Sequence, residues 1–348
     1  MSLELASKIV DGVMSDNIAI ETSYPATGSL ILEKCFGKEL ACFFDSQDFT
    51  ELMINGTENI FVEQDGRLIE LDLKVDDRAI DMFLDIVSNM NSRNIDFGHP
   101  IFDGKLPDGY RCNVVVPPVS LSGPLITLRR HIKKIDSISY LITSGMLSQK
   151  MSQVLVEALA DKQNIIVAGG TSTGKTTMVN VLFNSLLELL GSERIITIED
   201  TAELNIRLKH VLKLESRFKT PDCALEVTVR DLVKTALRMR PDRIVVGEVR
   251  GEEAYDLLHA VNTGHKGTVC TIHANSCRDA LRRLETLAVL GHPNLDINIP
   301  RSWIASNINI VVFIEKVAGK RKVVDIQKII GVESDNYILE TLTPLCYT

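Results

Sequence analysis

Residues 164–190 read NIIVAGGTSTGKTTMVNVLFNSLLELL and combine three local patterns. Residues 164–168 have the apolar composition of a buried strand, and residues 176–190 have the periodicity of an amphipathic helix. The turn between them, residues 169–176, matches the spacing G-x-x-x-x-G-K-[ST]. A glycine-rich turn arising by chance is the alternative. Because strand, turn and helix follow one another in the required order, we interpret the turn as a phosphate-binding loop.

The loop predicts an ATP site and assigns its side chains. Glycines let backbone N–H groups curl around phosphate oxygens, and the N-terminus of the following helix adds a favourable dipole. We expect Lys175 to reach the β- and γ-phosphates and the Thr176 hydroxyl to bind Mg²⁺. The predicted nucleotide-binding residues are Gly169, Gly170, Thr171, Ser172, Thr173, Gly174, Lys175, Thr176 and Thr177.

Helix and strand patterns alternate from residue 148 onward, which indicates a parallel α/β sheet with crossover helices. Residues 30–130 instead suggest short strands and turns with one helix, at 76–91, which is typical of a small α+β domain. A short packing helix is predicted at residues 3–14. The sequence therefore predicts an N-terminal α+β domain at 1–131, a linker at 132–147 and an ATPase domain at 148–348.

Acidic side chains follow two of the predicted parallel strands. One strand, 194–198, runs into Glu199, and another, 244–247, runs into Glu248. Ligands of open parallel sheets bind at the carboxyl ends of the strands, so both side chains should project towards the phosphates. We assign the attacking water to Glu248, and a supporting or metal-shell role to Glu199. The alternative is that both are surface carboxylates that cap the following helices.

His273 ends the next predicted strand and should reach the same rim of the sheet. A lone histidine is also common as a structural residue, so its position alone leaves both interpretations open. Cys270 and Cys277 flank it and raise the alternative of a zinc site. Strand alternation points Cys270 and His273 to opposite faces, and no fourth ligand stands at a sensible spacing, which argues against zinc.

Composition narrows the possible classes of function. The formal net charge is −8 and only 5% of the residues are aromatic, which disfavours direct binding of nucleic acid through its phosphates or through base stacking. Seven scattered cysteines with no C-x-x-C pair suggest reduced thiols in a cytosolic protein. The N-terminus lacks a signal-peptide pattern, and no apolar run approaches the ~18 residues of a membrane span. We expect a cytoplasmic protein whose membrane association is peripheral.

Four motifs in a fixed order resemble the type II/type IV secretion ATPase superfamily. Besides the phosphate-binding loop, residues 198–204 (IEDTAEL) resemble its aspartate box, and residues 238–250 (RMRPDRIVVGEVR) resemble its Walker B motif with Gly-Glu in place of Asp-Glu. Residues 264–268 with 271–275 (GHKGT and TIHAN) are similar to its histidine box. The resemblance covers the whole second half of the chain. It implies a RecA-like fold, ATP hydrolysis and a catalytic role for His273.

The first half resembles the family's N-terminal domain more weakly, through residues 106–111 (LPDGYR) and 125–130 (LITLRR). In the family, arginines near these places approach the γ-phosphate. The resemblance therefore implies that role for Arg111 and Arg129, which suits a planar, permanently charged guanidinium. The alternative is that each arginine pairs with a local carboxylate.

Within the superfamily, the chain is similar to the eleventh VirB protein and to the conjugative-transfer ATPases. It lacks the paired C-x-x-C insertion of the type II assembly ATPases. The resemblance implies a homohexamer that docks on the cytoplasmic face of an inner-membrane secretion complex and acts on a cargo protein or nucleoprotein. Three alternatives stay open: a pilus retraction ATPase, a RecA-like nucleic-acid translocase or helicase, and a scaffold that binds nucleotide without useful turnover.

Overall fold

A computed structural model describes residues 28–45, 49–64, 67–106, 110–130, 137–186, 190–217, 219 and 225–342. Its internal contacts divide the chain into two compact units, Met1–Arg130 (unit 1) and His131–Thr348 (unit 2). The predicted helix at 3–14 lies outside the described residues, as do residues 107–109 of the LPDGYR stretch. Within those residues, no helix is both long and apolar enough to cross a membrane.

Unit 1 is built on a six-stranded antiparallel sheet with the order β3-β2-β1-β6-β5-β4. Its strands are β1 (Phe49–Asn55), β2 (Asn59–Gln64), β3 (Arg67–Leu71), β4 (Ile101–Lys105), β5 (Arg111–Val115) and β6 (Leu125–Arg129). Its helices are α1 (Gly28–Phe36), α2 (Lys38–Asp45) and α3 (Asp77–Asn91). Helices α1 and α2 and strand β4 add to the elements that the sequence predicts.

One face of this sheet is buried and the other is not. Burial alternates along β5 and β6, so that Val114 and Leu128 face the core while their chain neighbours do not. Phe83 of α3 is fully buried in the same apolar cluster. Helix α3 begins where predicted because the Asp76 carboxylate accepts a hydrogen bond from Ala79 N at 2.7 Å, which caps its first turn.

Unit 2 is built on an eight-stranded sheet with the order β14-β13-β12-β7-β11-β10-β8-β9. The strands are β7 (Ile165–Gly169), β8 (Ile195–Glu199), β9 (Val211–Glu215), β10 (Arg243–Val246), β11 (Val269–His273), β12 (Ile310–Val317), β13 (Lys320–Glu333) and β14 (Asn336–Thr341). The helices are α4 (Ile138–Thr143), α5 (Gln149–Ala160), α6 (Lys175–Asn184), α7 (Val229–Ala236), α8 (Glu253–Asn262), α9 (Cys277–Gly291) and α10 (Asn298–Asn307).

The six strands from β12 to β9 are parallel, and β13 and β14 extend the sheet as an antiparallel hairpin. Strand β7 is buried at every position, as expected for a central strand covered on both faces. Ile166 packs with the cluster that contains α7 to α10, and Ile165 packs with the cluster that contains α4 to α6. The predicted α/β architecture is confirmed.

The stretch at 132–147, predicted as a linker, is in part a packed element of unit 2. Residues Ile138–Thr143 form α4, and Leu141, Met146 and Leu147 are buried in the core beside α5 and α6. Burial of these apolar side chains holds residues 138–147 against the unit. Residues 132–136 of the predicted linker lie outside the described residues.

Candidate functional site

The predicted phosphate-binding loop leaves the end of β7, between β11 and β12. A Cβ atom at Gly169 would lie 2.3 Å from Ile314 O of β12, so only glycine allows the strands to come this close. Gly174 has φ +97° and begins α6, and Ser172 is also left-handed at φ +56°. These angles turn the loop tightly into the helix N-terminus, the geometry that directs backbone N–H groups at an anion.

Lys175 is buried, with 7% of its surface exposed, and its ammonium lies inside the curve of the loop. Nζ donates hydrogen bonds to Gly169 O at 3.1 Å and to Gly170 O at 2.8 Å. A buried ammonium is stable only when such acceptors or a negative ligand surround it. The Lys175 ammonium is therefore positioned to donate to phosphate oxygens, either in place of the two carbonyl oxygens or in addition to them.

Glu248, His273 and Lys175 form a chain of contacts at the carboxyl ends of β10, β11 and β7. His273 Nε2 lies 2.9 Å from Glu248 Oε1, and His273 Nδ1 lies 3.5 Å from Lys175 Nζ. The contact between His273 and Glu248 is short but is not aligned as a hydrogen bond. Among the described residues, no donor therefore hydrogen-bonds to Glu248 Oε1, which is buried. A buried carboxylate oxygen without a donor is suited to a water molecule that belongs to the ligand complex.

The electrostatics of this rim keep the carboxylate charged and the imidazole neutral. Burial acts to raise the pKa of Glu248, but the hydrogen bond and charge of Arg250, with the charges of His273 and Lys175, together hold it below its usual value. Burial, and then the charge of Lys175, lower the pKa of His273. Near neutral pH, Glu248 is thus an available proton acceptor.

Glu199 ends β8 beside Glu248 but contacts different groups. Its side chain is buried, and Oε1 accepts hydrogen bonds from Glu203 N and Leu204 N, both at 2.9 Å. A Cβ atom at Gly247 would lie 2.7 Å from Glu199 Cγ, so the glycine before Glu248 makes room for this side chain. These contacts hold the turn after β8 in place and favour the supporting role over the metal-shell role.

Thr176 and Thr177 lie in the first turn of α6 and are partly exposed, while Thr171 is exposed at the tip of the loop. Thr173 is buried, and its hydroxyl donates to Gly170 O at 3.0 Å, which closes the loop internally. The Thr176 hydroxyl and the buried Glu248 Oε1 are oxygen donors of the kind Mg²⁺ prefers, directly or through water. The residues present therefore fit a magnesium ion held mainly by phosphate oxygens and water.

In unit 1, Arg111 and Arg129 are direct cross-strand partners on β5 and β6. The row continues to Lys105 on β4 and to Glu51 on β1, whose Oε1 lies 3.5 Å from Arg129 Nε. This row, Glu51–Arg129–Arg111–Lys105, lies on the sheet face opposite the core. Three cationic side chains and one carboxylate therefore stand side by side on this face.

A family model described as "Type II/IV secretion system protein" matches residues 41–330. The chain belongs to this family. The predicted resemblance is thereby confirmed, and so is the ATPase activity that characterises the family. The phosphate-binding loop, with Glu248 and His273 beside it, is accordingly the candidate nucleotide site of this secretion ATPase.

Named relatives support this membership over most of the chain. The probable conjugal transfer protein TrbB of Sinorhizobium fredii is 31% identical over 311 residues, which are 89% of this chain and 92% of the relative. The type IV secretion system protein PtlH homolog of Bordetella bronchiseptica is 36% identical over 256 residues, which are 65% of this chain and 74% of the relative. The solved ATPase DotB of Legionella pneumophila has the same fold, with a TM-score of 0.59 and 21% identity over 88% of this chain and 80% of that chain.

Arg250 contacts this candidate site of the secretion ATPase, and the sequence analysis assigned no role to it. Its NH2 group donates to Glu248 Oε2 at 2.7 Å, and its NH1 group lies 3.8 Å from Asp200 Oδ2. The buried Glu253 accepts hydrogen bonds from Arg250 N and Gly251 N at 2.6 and 2.9 Å, which fixes the backbone from which Arg250 extends. The sequence signal that could have identified Arg250 is its position two residues after Glu248, followed by Glu253 at the start of the next helix.

The burial of Glu199 predicts a pH-dependent stability. Burial raises its pKa to about 7, against the two backbone N–H donors, which lower it. The native state of the secretion ATPase then binds more protons than the unfolded state between pH 4.5 and about 7, so the free energy of unfolding falls as pH rises through that range. Glu199→Gln keeps an acceptor for both N–H groups without a charge. It is expected to abolish this fall and to raise stability above pH 7 by up to ~3 kcal/mol.

Urea unfolding at pH 5 and pH 8 measures this effect. Glu333→Gln, an exposed substitution on β13, is the matched control and should keep the wild-type pH dependence. If Glu199→Gln and wild type lose stability equally between the two pH values, the proton is not bound at Glu199.

Proposed function

We propose that this chain is one protomer of a homohexameric ring that hydrolyses Mg²⁺-ATP to power substrate transfer in a bacterial type IV secretion or conjugation system. The observation that carries the proposal is the chain of contacts from Glu248 through His273 to Lys175 at the end of three neighbouring parallel strands. A carboxylate and an ammonium thus lie on the two sides of His273, which supports the roles of proton acceptor and phosphate-binding cation proposed for them. A site for phosphoryl transfer to water needs both.

The catalytic step uses the groups already described. Glu248 orients a water molecule at Oε1, to which no donor among the described residues hydrogen-bonds, and accepts its proton while the water oxygen bonds to the γ-phosphorus. The bond from the γ-phosphorus to the oxygen bridging to the β-phosphate breaks, and ADP and phosphate leave. Lys175 exchanges its carbonyl contacts for β- and γ-phosphate oxygens and offsets their charge. Mg²⁺, held by Thr176, would neutralise the same oxygens.

Arg250 and His273 position Glu248 for this step. Arg250 binds the distal oxygen of the carboxylate, Oε2, so that the other oxygen, Oε1, keeps one orientation beside His273. Glu199 acts one step further away, by holding the turn at residues 200–204. Rigid support of this kind is what holds a water molecule within reach of the phosphorus.

Arg111 and Arg129 are proposed to supply cations to the γ-phosphate. Arg111 lies directly between Arg129 and Lys105 in the strand register, so three cations stand side by side on one face of the unit 1 sheet. Loss of the γ-phosphate after hydrolysis would release these arginines and allow rigid-body movement. In a ring of six chains, such movements are transmitted to cargo.

The names of the relatives indicate the cellular process in which the proposed ring acts. TrbB is described as a conjugal transfer protein and the PtlH homolog as a type IV secretion system protein. We propose by analogy that this ring docks peripherally on the cytoplasmic face of an inner-membrane secretion complex and acts on a protein or nucleoprotein cargo. Pilus retraction is the alternative within the same superfamily. DNA translocation is a separate alternative, because RecA-like cores also drive motors on nucleic acid.

Sedimentation velocity with a non-hydrolysable ATP analogue and Mg²⁺ tests the ring. The expected species has six times the mass of the 38.6 kDa chain. Arg111→Ala and Arg129→Ala are expected to reduce the analogue-dependent change in sedimentation, whereas Arg67→Ala, on the exposed edge strand β3, should not. A monomer under all conditions would contradict the proposal. ATP hydrolysis strongly stimulated by DNA at moderate salt would favour the translocase.

A further inference from the structure

We infer that Arg321 and Met146 form the part of the ATP site that binds the nucleoside. This inference rests on the proposed nucleotide site in unit 2, and it assigns the adenosine end, which no sequence motif identifies. Both side chains come from outside the phosphate-binding loop: Met146 follows α4, and Arg321 stands near the start of β13.

The two side chains pack against the last turn of the loop. Arg321 Nε donates a hydrogen bond to Ser172 O at 3.1 Å. A Cβ atom at Gly174 would lie 3.3 Å from Met146 Cε and 3.5 Å from Arg321 Cδ. The two segments are also joined, because Val323 N donates to Met146 O at 2.8 Å. Methionine and arginine are thus held together at the start of α6.

The order of strands gives the direction in which the nucleotide lies. Glu248 and His273 follow β10 and β11, on one side of β7 in the sheet. Arg321 belongs to the β12–β13 hairpin, on the other side of β7. The γ-phosphate must lie beside Glu248, where the attacking water is held. A triphosphate that crosses the loop from there directs its nucleoside towards the side of Arg321 and Met146.

The chemistry of the pair suits a purine nucleoside. Met146 is buried, with 5% of its surface exposed, and offers a polarisable apolar contact. The Arg321 guanidinium is planar and half-buried. Within the part of the chain that the structure describes, its terminal nitrogens have no recorded acceptor. A guanidinium held by Nε alone is able to stack on a purine ring or donate to ribose hydroxyls.

Competition between nucleotide and inorganic triphosphate separates this role from a purely structural one. The dissociation constants of Mg²⁺-ADP and of Mg²⁺-tripolyphosphate are measured by calorimetry for wild type, Arg321→Ala and Arg321→Gln. For both variants we expect about 10-fold weaker ADP binding, with tripolyphosphate binding unchanged within about twofold. The glutamine variant keeps the packing against Gly174, so it still tests the inference if the alanine variant misfolds. Lys320→Ala, on the same hairpin, is the matched control and should bind both ligands normally.

Two results would overturn the inference. Equal weakening of ADP and tripolyphosphate binding would mean that Arg321 only supports the loop at Ser172. Unchanged binding of both ligands would mean that the nucleoside lies elsewhere. If wild-type protein bound neither ligand, the proposed nucleotide site itself would fail, which is a distinct outcome.

Discussion

Replacing Glu248 with glutamine is expected to slow ATP hydrolysis by about 10²- to 10⁴-fold, the usual contribution of a positioned proton acceptor. Glutamine has nearly the same shape, but it accepts no proton from the attacking water. Binding of Mg²⁺-ATP should be retained, because Lys175 and the loop amides are unchanged. Steady-state phosphate release and nucleotide binding, measured on the same preparation, give both quantities.

Glu333→Gln again serves as the matched control, since Glu333 is exposed on β13. Normal hydrolysis by Glu248→Gln would remove Glu248 from the mechanism and favour the scaffold alternative, in which ATP binding orders a ring without turnover. A loss of both hydrolysis and binding would place Glu248 in nucleotide binding instead.

Lys175→Ala is expected to abolish measurable hydrolysis. The substitution removes the cation proposed to face the β- and γ-phosphates, in a buried position where its charge acts through a low dielectric. The same change frees Gly169 O and Gly170 O, so the loop also loses two internal hydrogen bonds. Phosphate release over a range of ATP concentrations measures the effect, because a defect in binding alone is overcome at saturation.

Lys150→Ala is the control for the loss of one positive charge, since Lys150 is exposed on α5 of the same unit. Its hydrolysis rate should equal that of wild type. Wild-type hydrolysis by Lys175→Ala would contradict the assignment of the loop.

The architecture of unit 2 follows from the sequence because its signals are local. Buried runs such as residues 165–168 and 243–246 are followed by periodic helices, and that alternation predicts a parallel sheet. Positions at the carboxyl ends of parallel strands also predict which side chains meet. Lys175, Glu248 and His273 do lie together in the structure, although their roles remain predictions.

Features that depend on tertiary contacts could not be predicted from the sequence. The edge strand β9 and helix α10 have weak local patterns, and the segment at 138–147 looked like a connection because the burial of Leu141 and Met146 depends on helices elsewhere in the chain. The pairing of Arg111 with Arg129 requires the register of β5 and β6. Propensity is a weak prior wherever packing decides.

The side-chain contacts within the candidate site could not be predicted from the sequence either. A glutamate at the end of β8 is visible in the sequence, but its bond to the N–H groups of Glu203 and Leu204 depends on how the following turn folds. Arg321 stands 149 positions beyond Ser172, so no motif connects the two residues. The sequence therefore predicts the residues of the proposed phosphate end of the site, but it gives no signal for the contacts of Glu199 and Arg321 around it.

Calorimetric titration of the purified chain with ATP and Mg²⁺ tests the central claim most directly. We expect saturable binding with a dissociation constant on the order of micromolar to millimolar, and no detectable binding to a correctly folded Lys175→Ala variant. Absence of binding to the wild-type chain, or equal binding to wild type and Lys175→Ala, would contradict the assignment of residues 169–176 as the loop that holds the triphosphate.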